Sequence, residues 1–261
     1  MTLKDRVAIV TGASSGIGAA TAIAFGREGM RTALFARRPE RLENAANAVR
    51  AAGGQAIVVA GDVCVPADVE RLVDCTMAGY GQIDVLFNNA GLGRLGWLEQ
   101  LDWRDVRLQV EVNLIGTLDT TRRVLPHMIG RRHGHIINMG SLAGKIGAPT
   151  YTVYAATKFA LAGFSESLRR EVAPWGVCVS AVYPAGVKTE LGDQAGYRRR
   201  TWRSPRALSA ETVARAIVEL VRRPRRELIL PPWMRLAVWA NRMAPGLGDL
   251  ITGRFVRVER G

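Results

Sequence analysis

Cysteine is scarce in this chain. Cys64, Cys75 and Cys178 are all that occur among 261 residues, an odd number with no Cys-x-x-Cys spacing. That excludes a disulfide framework and a cysteine zinc site as organising principles, and a reducing compartment is the simpler expectation. Histidine is as sparse, with only His127, His133 and His135, which argues against a histidine-rich metal centre. No uninterrupted run of ~18 apolar residues is present, so no bilayer span is expected. The first residues, Met1 to Arg6, lack the apolar core and cleavage site of a secretory signal, and the default expectation is a cytoplasmic protein. Lysine appears four times (Lys4, Lys145, Lys158, Lys188), which leaves the basic character to arginine.

What is present is a globular composition, 48% hydrophobic and 23% charged. A chain of this length buries about three quarters of its unfolded surface and needs no covalent staple. The net charge is +13, and residues 194–261 carry most of it, with fifteen Arg against five acidic residues. Such a surface attracts nucleic acid, anionic lipid or phosphorylated ligands through the same long-range field, or it is simply a solvated face.

Short β-branched runs alternate with helical stretches. Strands are predicted at 7–10, 32–35, 56–60, 83–87, 134–139, 177–182 and 227–230. Helices are predicted at 16–28, 39–52, 66–79, 102–129, 151–173 and 209–222. Apolar strands separated by helices of three turns or more specify an α/β fold, a single doubly wound parallel sheet with helices on both faces. The chain divides into residues 1–230, one doubly wound unit, and an amphipathic basic extension at 231–261.

Directly after the first strand stands Thr11-Gly12-Ala13-Ser14-Ser15-Gly16-Ile17-Gly18. In this position the first glycine allows a tight turn, and the later ones let a pyrophosphate approach the amides of the helix start. The second strand ends in Phe35-Ala36-Arg37-Arg38, with no carboxylate for the adenosine ribose. Two guanidinium groups at a helix start repel its dipole, which favours an anionic partner, and arginine suits the 2′-phosphate of NADP. NADP is therefore preferred over NAD as cofactor.

Ser141 follows the strand at 134–139, and Tyr154 and Lys158 lie four apart on the next helix, sharing one face. A tyrosine of intrinsic pKa ~10 acts as a base near neutrality only if its phenolate is stabilised, and an ammonium one turn away does that. These motifs, with Asp62-Val63, Asn88-Asn89-Ala90-Gly91, Asn113 and the stretch Pro184 to Thr189, resemble the short-chain dehydrogenase/reductase family over roughly residues 5–230. The resemblance implies a tetrad. Tyr154 would be general acid/base and Ser141 would polarise the carbonyl. Lys158 would hold the nicotinamide ribose and Asn113 would fix a relay water. It also implies cofactor contacts from Gly12, Ser14, Ser15, Gly16, Ile17 and Gly18, from Asp62 and Val63 at the adenine, from Asn89, Ala90 and Gly91 in the cleft, and from Pro184, Val187 and Thr189. Ala185 departs from the usual Pro-Gly after the sixth strand and bears on the fit around the nicotinamide amide.

A hydrolase reading fails because Met139-Gly140-Ser141 lacks the glycine two before the serine, and no histidine follows His135. A non-catalytic NADP-sensing or nucleic-acid-binding protein on the same fold is the other rival, and it would have no need of the tetrad. Leu92, Leu95, Trp97, Leu142, Ala143, Tyr151 and Leu191 suggest an apolar pocket for a lipophilic carbonyl/alcohol substrate. In the family the segment 190–206, with Tyr197 and Arg198 to Arg200, would be a lid, and its arginines could equally receive an acidic substrate or an acyl-carrier phosphopantetheine arm. The family also implies a homodimer or homotetramer built on the helices at 102–129 and 151–173. Residues 231–261 set Trp233, Leu236 and Trp239 beside Arg235 and Arg242. That pattern serves a helix over the pocket, a subunit interface or an anionic membrane surface, and no groove-reading motif points to nucleic acid.

Overall fold

The computed structural model describes residues 2–189, 207–246 and 248–250. Seven parallel strands form one sheet in the order β3-β2-β1-β4-β5-β6-β7. They are β1 (Val7–Thr11), β2 (Arg31–Ala36), β3 (Gln55–Ala60), β4 (Val85–Asn88), β5 (Gly134–Met139), β6 (Val177–Pro184) and β7 (Glu227–Leu230). Between them run α1 (Gly16–Arg27), α2 (Pro39–Ala51), α3 (Pro66–Tyr80), α4 (Trp103–Val110), α5 (Gly116–Arg131), α6 (Thr152–Val172) and α7 (Ala210–Arg222). A further helix, α8 (Met234–Met243), follows β7. The strand order reverses between β1 and β4, and at such a switch point the carboxyl ends of the strands leave an open crevice.

The strands are buried on both faces because their residues alternate between two cores. Ala8, Val10, Leu34, Val85, Phe87 and Ile137 face α1, α2 and α7, where Phe25, Leu42 and Ile217 are fully buried. Ile9, Phe35, Leu86 and Ile136 face the other way, onto Leu72 of α3, Val124 and Met128 of α5, and Leu168 of α6. A third, smaller cluster joins Ala181, Tyr183 and Ile229 to Leu142, Ala162, Met234 and Val238. That cluster is where α8 docks.

The helix predicted at 102–129 is not continuous. α4 ends at Val110, a single π-helical turn occupies Glu111–Ile115, and α5 begins at Gly116. A π turn lodges one extra residue in the ladder, and such bulges favour functional sites. Here it carries Asn113, whose side chain is fully committed elsewhere, as described below. The 151–173 helix is shorter, and Trp175, just beyond it, stacks beneath Arg132 at 5.7 Å instead of joining a core. No helix among the described residues is long and apolar enough to cross a membrane.

Candidate active site

The glycine loop is tied to the end of β4 by reciprocal hydrogen bonds. Thr11 Oγ1 accepts from the amides of Asn89 and Ala90 at 3.0 Å each, and Asn89 Nδ2 donates to the carbonyls of Thr11 (3.0 Å) and Gly12 (3.2 Å). Gly12 has a φ of 64°, and a Cβ there would stand 2.9 Å from Ala90 Cα, so only glycine fits. A Cβ on Gly18 would likewise run into the Gly12 carbonyl. Ser15 caps α1 without a side-chain hydrogen bond, and no acid lies in the first turn. The amides at this helix start are therefore available to an anion, with the dipole favouring negative charge.

The two adjacent arginines diverge. Arg38 donates to Ser14 Oγ and Ser15 Oγ, both at 3.1 Å, which sets a guanidinium on the glycine loop. Arg37 is 67% exposed and lies 3.8 Å from Asp62 Oδ2. Asp62 in turn accepts from the Cys64 amide at 3.0 Å, and burial with the Asp62 charge pushes the Cys64 thiol up to about 12, so it stays protonated. Val63 spends its side chain in the core against Gly116, where a Cβ would meet it at 2.8 Å. Only its backbone is left for the adenine contact expected from the sequence. Uncapped amides, glycines that open a cradle and one guanidinium bound to the loop together fit the phosphates of a dinucleotide.

The reacting side chains lie at the other lip of the crevice. Tyr154 is partly buried in the first turns of α6. Burial raises its pKa, and a hydrogen bond with Ser141 works in the opposite direction. Ser141 Oγ also accepts from the Ala143 amide at 3.2 Å, so the turn after β5 fixes the hydroxyl. Lys158 donates to the Met139 carbonyl at 2.9 Å and sits 5.6 Å from the Tyr154 ring centre. Its own burial brings its pKa down to about 8, still charged at neutral pH. The buried ammonium is within reach of the phenol it would stabilise.

Asn113 Oδ1 accepts from the Leu92 amide at 2.8 Å, and its Nδ2 donates to the Leu92 carbonyl at 2.9 Å and to Thr157 Oγ1 at 3.1 Å. The side chain clamps the loop after β4 to α6, which leaves the expected water to its main chain. Thr157, whose hydroxyl donates to the Tyr154 carbonyl at 2.8 Å, was not singled out by the sequence, because a threonine before a lysine carries no chemical signal. The same loop is held again at Arg94, whose amide donates to Gln109 Oε1 at 3.0 Å, and at Gly96, whose amide donates to the Thr150 carbonyl at 3.0 Å. Tyr151 meets the Tyr154 ring edge-on at 6.3 Å.

Beyond β6, Val187 bridges to Leu208, and Thr189 lies 3.3 Å from where a Cβ on Gly16 would be. Pro184 ends β6, and Ala185 donates its amide to the Leu230 carbonyl at 2.7 Å. Ala185 is not among the described non-glycine residues with positive φ, so the departure from Pro-Gly imposes no backbone strain. Leu191 and the 190–206 segment lie outside the described residues. No group of three or more His, Cys, Asp or Glu among the described residues could hold a metal ion.

Compared with known proteins, residues 6–199 match the family model described as short chain dehydrogenase. The chain belongs to this family. An uncharacterized oxidoreductase of Listeria innocua is 39% identical over 196 residues, 73% of this chain and 78% of the relative. A short-chain dehydrogenase/reductase from Burkholderia phymatum, solved in complex with NAD, superposes with a TM-score of 0.85 at 29% identity, covering 95% of this chain and 96% of that one. An alcohol dehydrogenase from Thermococcus sibiricus, solved with 5-hydroxy-NADP, gives 0.79 at 28% identity, covering 87% and 96%. As a short-chain dehydrogenase the chain is an oxidoreductase, and the Rossmann-like sheet is that of its solved relatives.

Proposed function

We propose that this short-chain dehydrogenase interconverts a secondary alcohol and a ketone with NADP, on a lipophilic substrate. The observation that carries the reading is the convergence of Tyr154, Ser141 and Lys158 on one lip of a crevice whose other lip is the glycine loop. A nicotinamide bound there supplies or accepts the hydride. Tyr154 holds the proton at its phenol oxygen, gives it to the carbonyl oxygen in reduction and takes it from the hydroxyl in oxidation. Ser141 hydrogen-bonds the same oxygen and orients it. Lys158 keeps a positive charge beside the phenol, which lowers the cost of the phenolate, and its remaining donors suit the nicotinamide ribose. Asn113 holds Leu92 so that the loop wall stays open beside the reacting oxygen.

For the cofactor, the amides from Ser14 to Gly18 would take the pyrophosphate. Arg38, with Ser14 and Ser15, would take the 2′-phosphate. Gly12, Asn89, Ala90, Gly91 and Thr189 line the crevice between them. The preference for NADP rests on Arg38 more than on Arg37, which is mostly solvated and paired with Asp62.

Titration of the purified protein with NADPH and NADH tests this reading. NADPH should bind more tightly, and Arg38→Ala should narrow the gap by ten-fold or more, at ~1.5–3 kcal/mol per charged hydrogen bond. Arg37→Ala should narrow it less. Equal affinity of the parent for the two cofactors contradicts the NADP assignment. A panel of ketones, followed by loss of NADPH absorbance, tests the reaction itself.

A further inference from the structure

Helix α8 carries two apolar faces, and only one of them is covered among the described residues. Met234 and Val238 dock on the cluster of Ala181, Tyr183 and Ile229. Trp233, Leu236, Trp239 and Met243 point away from it and are 59%, 72%, 63% and 68% exposed. At about 100° per residue, Leu236 and Met243 fall in the middle of that free arc, with Trp239 on one side and Trp233 on the other. Arg235 and Arg242, both exposed, fall together at the margin between the free arc and the docked face. No Asp or Glu occurs from Pro231 to Gly248.

We propose that α8 seats this protein on an anionic lipid surface. Such a surface asks for what the helix offers: apolar side chains to enter the acyl boundary, indoles at head-group level, and guanidiniums for lipid phosphates. A second copy of the chain suits the face less well. Pairing it with itself would bring arginines against arginines between two chains of net charge +13, with no carboxylate on the helix to answer them. A stable dimer interface also recruits about 20–30 residues a side, where this face supplies four large side chains. Leu142, the residue after Ser141, belongs to the cluster on which Met234 and Val238 rest, so α8 is docked beside the turn that carries the orienting hydroxyl. On the alcohol/ketone reading above, on which this last step rests, the substrate is a carbonyl compound that partitions into the bilayer.

Sedimentation with vesicles of phosphatidylglycerol and phosphatidylcholine in equal parts, and with phosphatidylcholine alone, tests the proposal on the full chain. The protein should pellet with the anionic vesicles and be released by salt. Leu236→Glu with Trp239→Glu should lower vesicle affinity at least ten-fold. Arg235→Ala with Arg242→Ala should lower it roughly 25-fold, at about one charge-pair increment per arginine. All four side chains are exposed, so folding and turnover of a water-soluble ketone should stay at the parent level. Parent protein remaining in the supernatant at low salt overturns the proposal, as does unchanged vesicle binding of the variants. So does a halved particle mass of Leu236→Glu with Trp239→Glu in vesicle-free solution, which would assign the face to a second copy. Absence of turnover in the parent would count against the reaction reading alone, because vesicle binding is read without it.

Discussion

Burial decides the chemistry of single residues here, disfavouring the charged form at both ends of the sheet. Near the crevice it works against ionisation of Tyr154, which is why the Ser141 hydroxyl and the Lys158 charge have to be close by. At the other end, His135 is buried with Nε2 2.8 Å from Ser180 Oγ, and its pKa is lowered to about 3, chiefly by desolvation. Ser180 already donates to the Arg225 carbonyl, so it accepts from His135, the proton sits on Nε2, and Nδ1 has no hydrogen-bond partner among the described residues. A base whose pKa falls on folding takes up its proton in the unfolded chain first. Between pH ~6.5 and about 3 the unfolded state therefore gains protons that the folded state does not, and stability falls as pH falls, by about 1.4 kcal/mol per pH unit from this group. Urea unfolding across that window should show the decline, and His135→Gln should flatten it. An unchanged slope in the variant would assign the acid sensitivity to other groups.

Between residue and fold, the segment that joins β5 to α6 holds a strained position. Thr150, a β-branched residue, has a φ of 67°, a left-handed conformation that costs a non-glycine residue roughly 1–2 kcal/mol. Its carbonyl is the acceptor that holds Gly96 and so the loop beside the reacting oxygen. Thr150→Gly should raise the unfolding free energy by about 1 kcal/mol, less the entropy glycine loses on folding, and so raise the denaturation midpoint. A lower midpoint would show that the Thr150 side chain makes up for its backbone. The strand pattern, the glycine loop and the spacing of Tyr154 and Lys158 were legible in the sequence, because each follows from periodicity or from one turn of helix. The break at Glu111–Ile115 was not. The helical periodicity runs through it, and the π turn is fixed by Asn113 reaching Leu92 and Thr157, contacts distant in sequence. The divergence of Arg37 and Arg38 was equally hidden, since neighbouring arginines at a helix start look alike until the loop with Ser14 and Ser15 folds against one of them.

At the scale of the whole molecule, large apolar side chains of the described residues are exposed on the assembly helices as well as on α8. Ile115 in the π turn and Phe159 on α6 are exposed, as is Trp103 at the start of α4, on the helices that the sequence assigned to self-assembly. A homodimer or homotetramer formed through these helices should appear in light scattering at micromolar concentration, and Ile115→Glu with Phe159→Glu should lower the mass. A monomeric parent would contradict the assembly. The face of α8 is a separate matter, because it carries the arginines and the other helices carry acids beside their basic groups, such as Asp119 bridging Arg122 and Arg123 on α5.

The proton of the proposed chemistry passes through one hydroxyl, so the most direct measurement is the turnover of Tyr154→Phe beside its affinity for NADPH. Removing a positioned general acid/base should cost at least ~10²-fold in rate. The phenyl ring keeps the packing against Tyr151, and NADPH should bind the variant as it binds the parent. Ketone turnover near the parent rate would contradict the assignment of Tyr154, and with it the account of the site.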